Sequence, residues 1–161
     1  MREVKDLLTW RLFVFMGLSK SLGRFFIKLF SLDKYEYNKI QIKKQVVTKI
    51  MLFARGSYPK EFIAILKGEV KDKVVIIDDV MYQQYSSSVV STSMRMNLPV
   101  SSGSVGTVHS HPSHNSRPSQ ADLQSFSKRG LVHFIINFPY RVNDLRAYNS
   151  QGDVLEFDIV E

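Results

Sequence analysis

No cysteine occurs among the 161 residues, so disulfides and thiolate metal ligands are both excluded. The absence suits a reducing cytoplasm without proving it, because export is also compatible with a cysteine-free chain. Long hydrophobic runs are missing too. Within the Leu- and Phe-rich residues 4 to 32 the longest uninterrupted apolar stretch is Leu12 to Leu18, against the roughly 20 residues that cross a bilayer. A simple transmembrane helix is therefore not expected. Arg2 and Lys5 ahead of that run outline a secretory leader, but Glu3, Asp6 and the cations downstream weaken the pattern. The expected location is the cytoplasm. Repeats and low-complexity tracts are also absent.

Positive charge is plentiful but unevenly placed. The net charge is +7, and residues 1 to 44 hold ten Lys/Arg against four Asp/Glu, whereas residues 45 to 161 hold twelve against eleven. A region so nearly neutral lacks the clustered basic face that a polyanion requires, so nucleic acid is not an expected partner. With 44% hydrophobic residues the chain can bury one ordinary core and hardly two. The reading is a single domain over residues 37 to 161 preceded by an appendage, residues 1 to 36. In the appendage Leu8, Leu12, Phe15, Leu22, Phe26 and Leu29 recur at helical steps, and Lys20, Arg24 and Lys28 form another stripe. That is a basic amphipathic helix, or two helices broken at Gly17 or Gly23. It suits the inner face of a membrane, a protein partner, a second copy of the chain, or the domain's own core.

The chemistry is concentrated in His109-Ser110-His111-Pro112 and Ser119-Gln120-Ala121-Asp122. His109 and His111 end an apolar run that starts at Val105, so on a strand both imidazoles point to one face, and Pro112 then stops the strand. Ser119 stands three residues before Asp122 at the head of a helical pattern, where a hydroxyl caps the first turn and holds the acid at the helix start. Two imidazoles and one carboxylate suit Zn2+, with a fourth tetrahedral position left for water, as in catalytic sites. His114 lies in the loop between the ligands and reads as a solvent or substrate contact. A proton acceptor is then needed, and Glu61 qualifies as a lone carboxylate leading the apolar segment Phe62 to Leu66. Its bland alternative is a solvated glutamate at a strand entrance.

Together these residues resemble the JAMM/MPN metalloproteases, whose pattern is an upstream Glu, His-x-His-Pro, and Ser-x-x-Asp after a fixed loop. The string from His109 through Arg117-Pro118-Ser119 to Asp122-Leu123 is most similar to the small archaeal members, which remove ubiquitin-like modifiers from lysines. The resemblance runs from about residue 40 to the C-terminus. It implies that His109, His111 and Asp122 bind zinc, that Glu61 is the general acid/base, and that Ser119 donates a hydrogen bond to the oxyanion. A modifier protein and its conjugates are the partners it implies. Two other readings stay open: a non-catalytic scaffold of the same fold, and processing of a sulfur-carrier protein's C-terminus.

The remaining pattern predicts an α/β fold with a mixed curved sheet and flanking helices. Strands are expected at Lys39–Lys43, Glu61–Leu66, Val74–Ile77, within Ser86–Met96, at Val105–His109, Leu131–Phe138 and Leu145–Tyr148, with Val154–Ile159 closing a hairpin. Asp78-Asp79 is expected to stop the third of these, after a turn over Gly68 to Lys73. One helix uses Val46, Val47, Ile50, Met51 and Ala54, and another runs from Gln120 to Arg129 with Gly130 as its C-cap. Leu155, Phe157 and Ile159 are expected to point inward, and His133, without partner spacing, reads as structural. A modifier tail is expected to pair along the serine-rich Ser86 to Met96 stretch.

Overall fold

A computed structural model describes residues 37–82, 103–127 and 130–161 of the chain. The expected helix in residues 1 to 36, the Ser86–Met96 strand with its tail-binding role, and the Lys128 and Arg129 dipole contacts lie outside the described residues. Residues 37 to 161 make one compact unit. Strand β1 (Lys39–Lys43) alternates as its sequence does, with Ile40 and Ile42 buried. Helix α1 (Lys44–Ser57) follows directly and buries Val46, Val47, Ile50 and Ala54 along one stripe. It ends just before Tyr58-Pro59, as the steric demand of proline on the preceding residue requires.

Strands β2 (Ile63–Lys71) and β3 (Val74–Tyr82) form a hairpin turning at Asp72 and Lys73, both at positive φ. The turn is therefore two residues long, not the six expected from Gly68. Gly68 instead sits at a bulge inside β2, where a Cβ would fall on the Ile76 carbonyl oxygen. Asp78-Asp79 does not end β3 either, because Lys49 of α1 pairs with Asp79 at 2.7 Å and Val80 N–H donates to the same carboxylate.

Strand β4 (Ser104–His111) runs antiparallel to β2 and parallel to β5 (Val132–Asn137), with helix α2 (Gln120–Phe126) between them. α2 stops three residues earlier than expected, so Gly130 is not its cap. Gly130 has φ +72° and lies against β4, where a Cβ would stand 2.6 Å from the Gly106 Cα. After β5 come β6 (Leu145–Tyr148), β7 (Val154–Leu155) and β8 (Asp158–Val160). The expected single strand Val154–Ile159 is thus two strands: β7 pairs with β6, and β8 pairs in parallel with β1. Ile159 is exposed rather than inward, while Leu155 and Phe157 do pack on the core.

The described strands form one sheet in the order β7-β6-β5-β4-β2-β3-β1-β8. Laid flat, its two end strands would be about 34 Å apart. Leu155 and Asp158 are three residue steps apart and can span only about 11 Å. The sheet must therefore curl. One face carries Ala64, Leu66, Val108, Phe134, Ile136 and Ala147 in the main core, which α1 joins. The other face carries Thr107, His109, His111, His133, Ile135 and Tyr148, by the register of β4, β5 and β6. Phe126 of α2 closes over it, in contact with Ile135 and Tyr148.

Candidate metal centre

Strand β4 continues two residues past its expected end, so both histidines remain under strand geometry and share a face. His109 Nε2 and His111 Nε2 lie 3.1 Å apart. Asp122 completes a triangle, with Oδ1 3.2 Å from His109 Nε2 and Oδ2 3.5 Å from His111 Nε2. Ligand bonds of 2.0–2.1 Å in a tetrahedron imply edges of about 3.4 Å. One nitrogen of each imidazole and the two Asp122 oxygens stand near that spacing, one atom from each residue lies within 4.8 Å of the others, and the three side chains fit Zn2+.

Local hydrogen bonds fix two of the three donors. His111 Nδ1 is 2.8 Å from the Asn115 carbonyl oxygen. A carbonyl can only accept, so Nδ1 carries the proton and Nε2 turns a lone pair to the centre. Asp122 occupies the third position of α2 in a reciprocal cap: Ser119 N–H donates to Oδ2 at 2.7 Å, and Asp122 N–H donates to Ser119 Oγ at 3.2 Å. Burial pushes the Asp122 carboxyl up, but its bonds to His109, His111 and Ser119 outweigh this and hold it well below the usual carboxylate range. For His111, burial acts downward, yet Asp122, the Asn115 carbonyl and the charge of Glu61 raise its pKa above the ordinary value. A proton is thereby drawn to the position where a metal would bind.

Glu61 lies exposed two residues before β2. The β2–β4 register pairs Ile63 with His109, and Ser110 N–H donates to the Phe62 carbonyl at 3.0 Å. One further step sets Glu61 opposite His111, on the same side of the sheet. Its influence on the His111 proton agrees with that placement. Ser119 Oγ accepts the Asp122 amide and still has its own hydroxyl proton to donate. His114 is exposed and meets Phe138 edge-on at 5.2 Å, apart from the three converging donors.

The sequence does not reveal what lies behind the ligands. His133 is fully buried, shares a 2.8 Å hydrogen bond with Thr107 Oγ1, and stacks on Phe126 at 4.1 Å. Burial, with a smaller push from His109, takes its pKa down to about 3, so it stays neutral. Tyr148 is buried and donates from its hydroxyl to the Ser116 carbonyl at 2.7 Å. The one signal for it is general: a tyrosine in an apolar strand must find a partner for its hydroxyl.

Residues 43–150 match the family described as prokaryotic homologs of the JAB domain. The chain is similar to a probable metalloprotease of Haloferax volcanii, at 34% identity over 113 residues, covering 65% of this chain and 70% of the relative. A JAB1/MPN domain protein from Archaeoglobus fulgidus superposes with a TM-score of 0.61 at 33% identity, over 75% of this chain and 99% of that one. A solved JAMM protein, described as a metalloprotease-like zinc site in the proteasome and signalosome, gives 0.60 at 33% identity, over 77% of this chain and 100% of that one.

Proposed function

The chain belongs to the family of prokaryotic JAB-domain homologs, with the JAMM/MPN fold, and from that premise we propose that it is a zinc-dependent isopeptidase. Its substrate on this reading is the bond between the C-terminal glycine of a ubiquitin-like modifier and a lysine side chain. The observation that carries the proposal is the convergence of two imidazole nitrogens and one carboxylate within 3.1–3.5 Å, with the Glu61 carboxylate acting on the charge of His111. A scaffold has no use for that ligand set.

His109, His111 and Asp122 would hold the zinc, which supplies Lewis acidity that makes water a nucleophile near neutral pH. Glu61 takes the proton from the attacking water and returns it to the departing lysine amine, so the proton balance closes on one side chain. Exposure suits this exchange, because the carboxylate reaches solvent and substrate alike. The Ser119 hydroxyl donates to the oxygen that gains charge as the carbonyl is attacked. Asn115 and Ser119 keep His111 and Asp122 oriented throughout.

The deciding assay incubates the purified full-length protein with a lysine-linked diglycine conjugate and with a linear C-terminal extension of the same modifier. Cleavage of the first, lost on chelation and restored by Zn2+, is expected. Cleavage of only the linear fusion would move the function to modifier or sulfur-carrier processing. If a preparation holding one zinc per chain leaves both intact, the enzymatic reading is wrong.

A further inference from the structure

The loop from Pro112 to Ser119 joins the two ligand-bearing elements without regular structure of its own. A metal site must nevertheless be held within about 0.5 Å of its working geometry. We propose that the β6–β7 hairpin clamps this loop, with Tyr148 and Gly152 acting as positioning residues for the metal centre although neither touches a ligand atom. The inference rests on the metal-centre reading of His109, His111 and Asp122.

Tyr148 grips at two levels. Its hydroxyl holds the Ser116 carbonyl at 2.7 Å, one residue beyond the Asn115 carbonyl that orients His111. The Asn115 side chain accepts from Arg117 N–H at 3.0 Å, making Asn115 to Arg117 one tied segment. The Tyr148 ring packs with Phe126 and Ile135 in a cluster that Leu123 joins, so the same residue braces the helix carrying Asp122. The middle of the ligand loop and the helix that follows it are therefore referred to one side chain on β6.

The turn that follows also lies against this loop and helix, at Pro118 and Leu123. Asn149 Oδ1 accepts from Gln151 N–H and Asp153 N–H, each at 2.9 Å, and Gly152 N–H donates to the Asn149 carbonyl at 3.1 Å. Gly152 has φ +83°, and a Cβ there would stand 2.5 Å from Leu123 Cδ2 and 3.7 Å from Pro118 Cγ. Any side chain at 152 would therefore displace the Leu123 side chain, one residue after Asp122, and strain a turn held at positive φ.

The test compares wild type, Tyr148→Phe, Gly152→Ala and Arg146→Ala, the last an exposed change on the same strand. Each full-length protein is stripped of metal, its melting temperature recorded, and then titrated with Co2+, whose visible bands report coordination geometry, and with Zn2+ by competition. Tyr148→Phe is expected to bind zinc about 10-fold or more weakly, in the range seen when outer supports of metal ligands are removed. Its cobalt bands should shift while the metal-free melting temperature falls by only a few degrees. Gly152→Ala should move the same bands through Leu123, and Arg146→Ala should leave them in place. Wild-type affinity and an unchanged cobalt spectrum in Tyr148→Phe would reduce Tyr148 to packing and overturn the clamp. Should Tyr148→Phe fail to fold, Gly152→Ala decides by the same two readouts. A wild-type protein that takes up no cobalt removes the metal centre itself, a different failure.

Discussion

Glu61, just ahead of β2, and Ser119, at the cap of α2, have separable proposed roles. Because Glu61 is proposed to carry a proton and not to bind metal, Glu61→Gln should retain one zinc per chain while turnover falls by about 10²-fold or more. Metal content and kinetics on one preparation check this, and activity within tenfold of wild type would sink the mechanism. Ser119→Ala loses both the proposed oxyanion donor, worth about 10² to 10³ in rate, and a helix cap, worth about 1 kcal/mol. Melting must accompany its kinetics. His133 offers a pH test. Its folded pKa of about 3 lies below the ordinary 6.5, so the unfolded chain binds more protons between those values and stability falls as pH drops through that window. At pH 5 the loss relative to pH 7 should be about 2 kcal/mol in the metal-free protein. His111 acts in the opposite sense: its raised pKa gives stability that is fully present below 6.5 and lost as pH rises through the folded value. The difference between wild type and His133→Asn isolates the first effect, and equal pH slopes would contradict it. What was legible at this scale follows sequence distance. His109 with His111 and Ser119 with Asp122 are set by strand and helix periods within a few residues. Thr107 with His133 and Ser116 with Tyr148 are 26 and 32 residues apart and depend on register, which no local pattern encodes.

At the scale of elements, the histidines depend on how closely β4 and β5 approach. Gly106 pairs with Val132, and a Cβ there would fall on the Val132 carbonyl oxygen, while Gly130 packs on the Gly106 backbone. Gly106→Ala should therefore force β4 away from β5, destabilise the fold by about 1–3 kcal/mol, as overpacking does, and weaken zinc binding by moving His109 and His111. Chemical denaturation with a zinc titration measures both, and wild-type behaviour in each would refute it. The same contact explains a misread boundary. Gly130 looks like a helix cap from its neighbours in sequence, but its glycine is required by a strand that lies 24 positions upstream. Asp78-Asp79 misleads for a related reason: a charged pair reads as a strand end until Lys49, from a different element, neutralises Asp79. Strand β8 is a further case, since its partner β1 lies at the other end of the unit and nothing in Asp158–Val160 announces it.

Across the whole molecule, charge and chemistry are divided along the chain. Every residue of the proposed site lies between 61 and 122, within the compact unit of residues 37 to 161, which has its own buried core. Residues 1 to 36 supply none of them and carry the basic amphipathic pattern. Among the described residues no helix is long and apolar enough to cross a membrane. We propose that the N-terminal segment decides where the chain acts and not what it cleaves, through apolar burial and attraction to anionic lipid. A protein beginning at Tyr37 should then bind zinc and cleave conjugates as the full chain does, while losing co-sedimentation with vesicles rich in anionic lipid. The full chain's binding to such vesicles should weaken as salt rises, because the attraction is screened over about 10 Å at 0.1 M. Full-length protein that ignores the vesicles at low salt would contradict the lipid proposal. A truncated protein that aggregates or unfolds would instead assign the Leu and Phe stripe to the domain's own core or to a second copy of the chain.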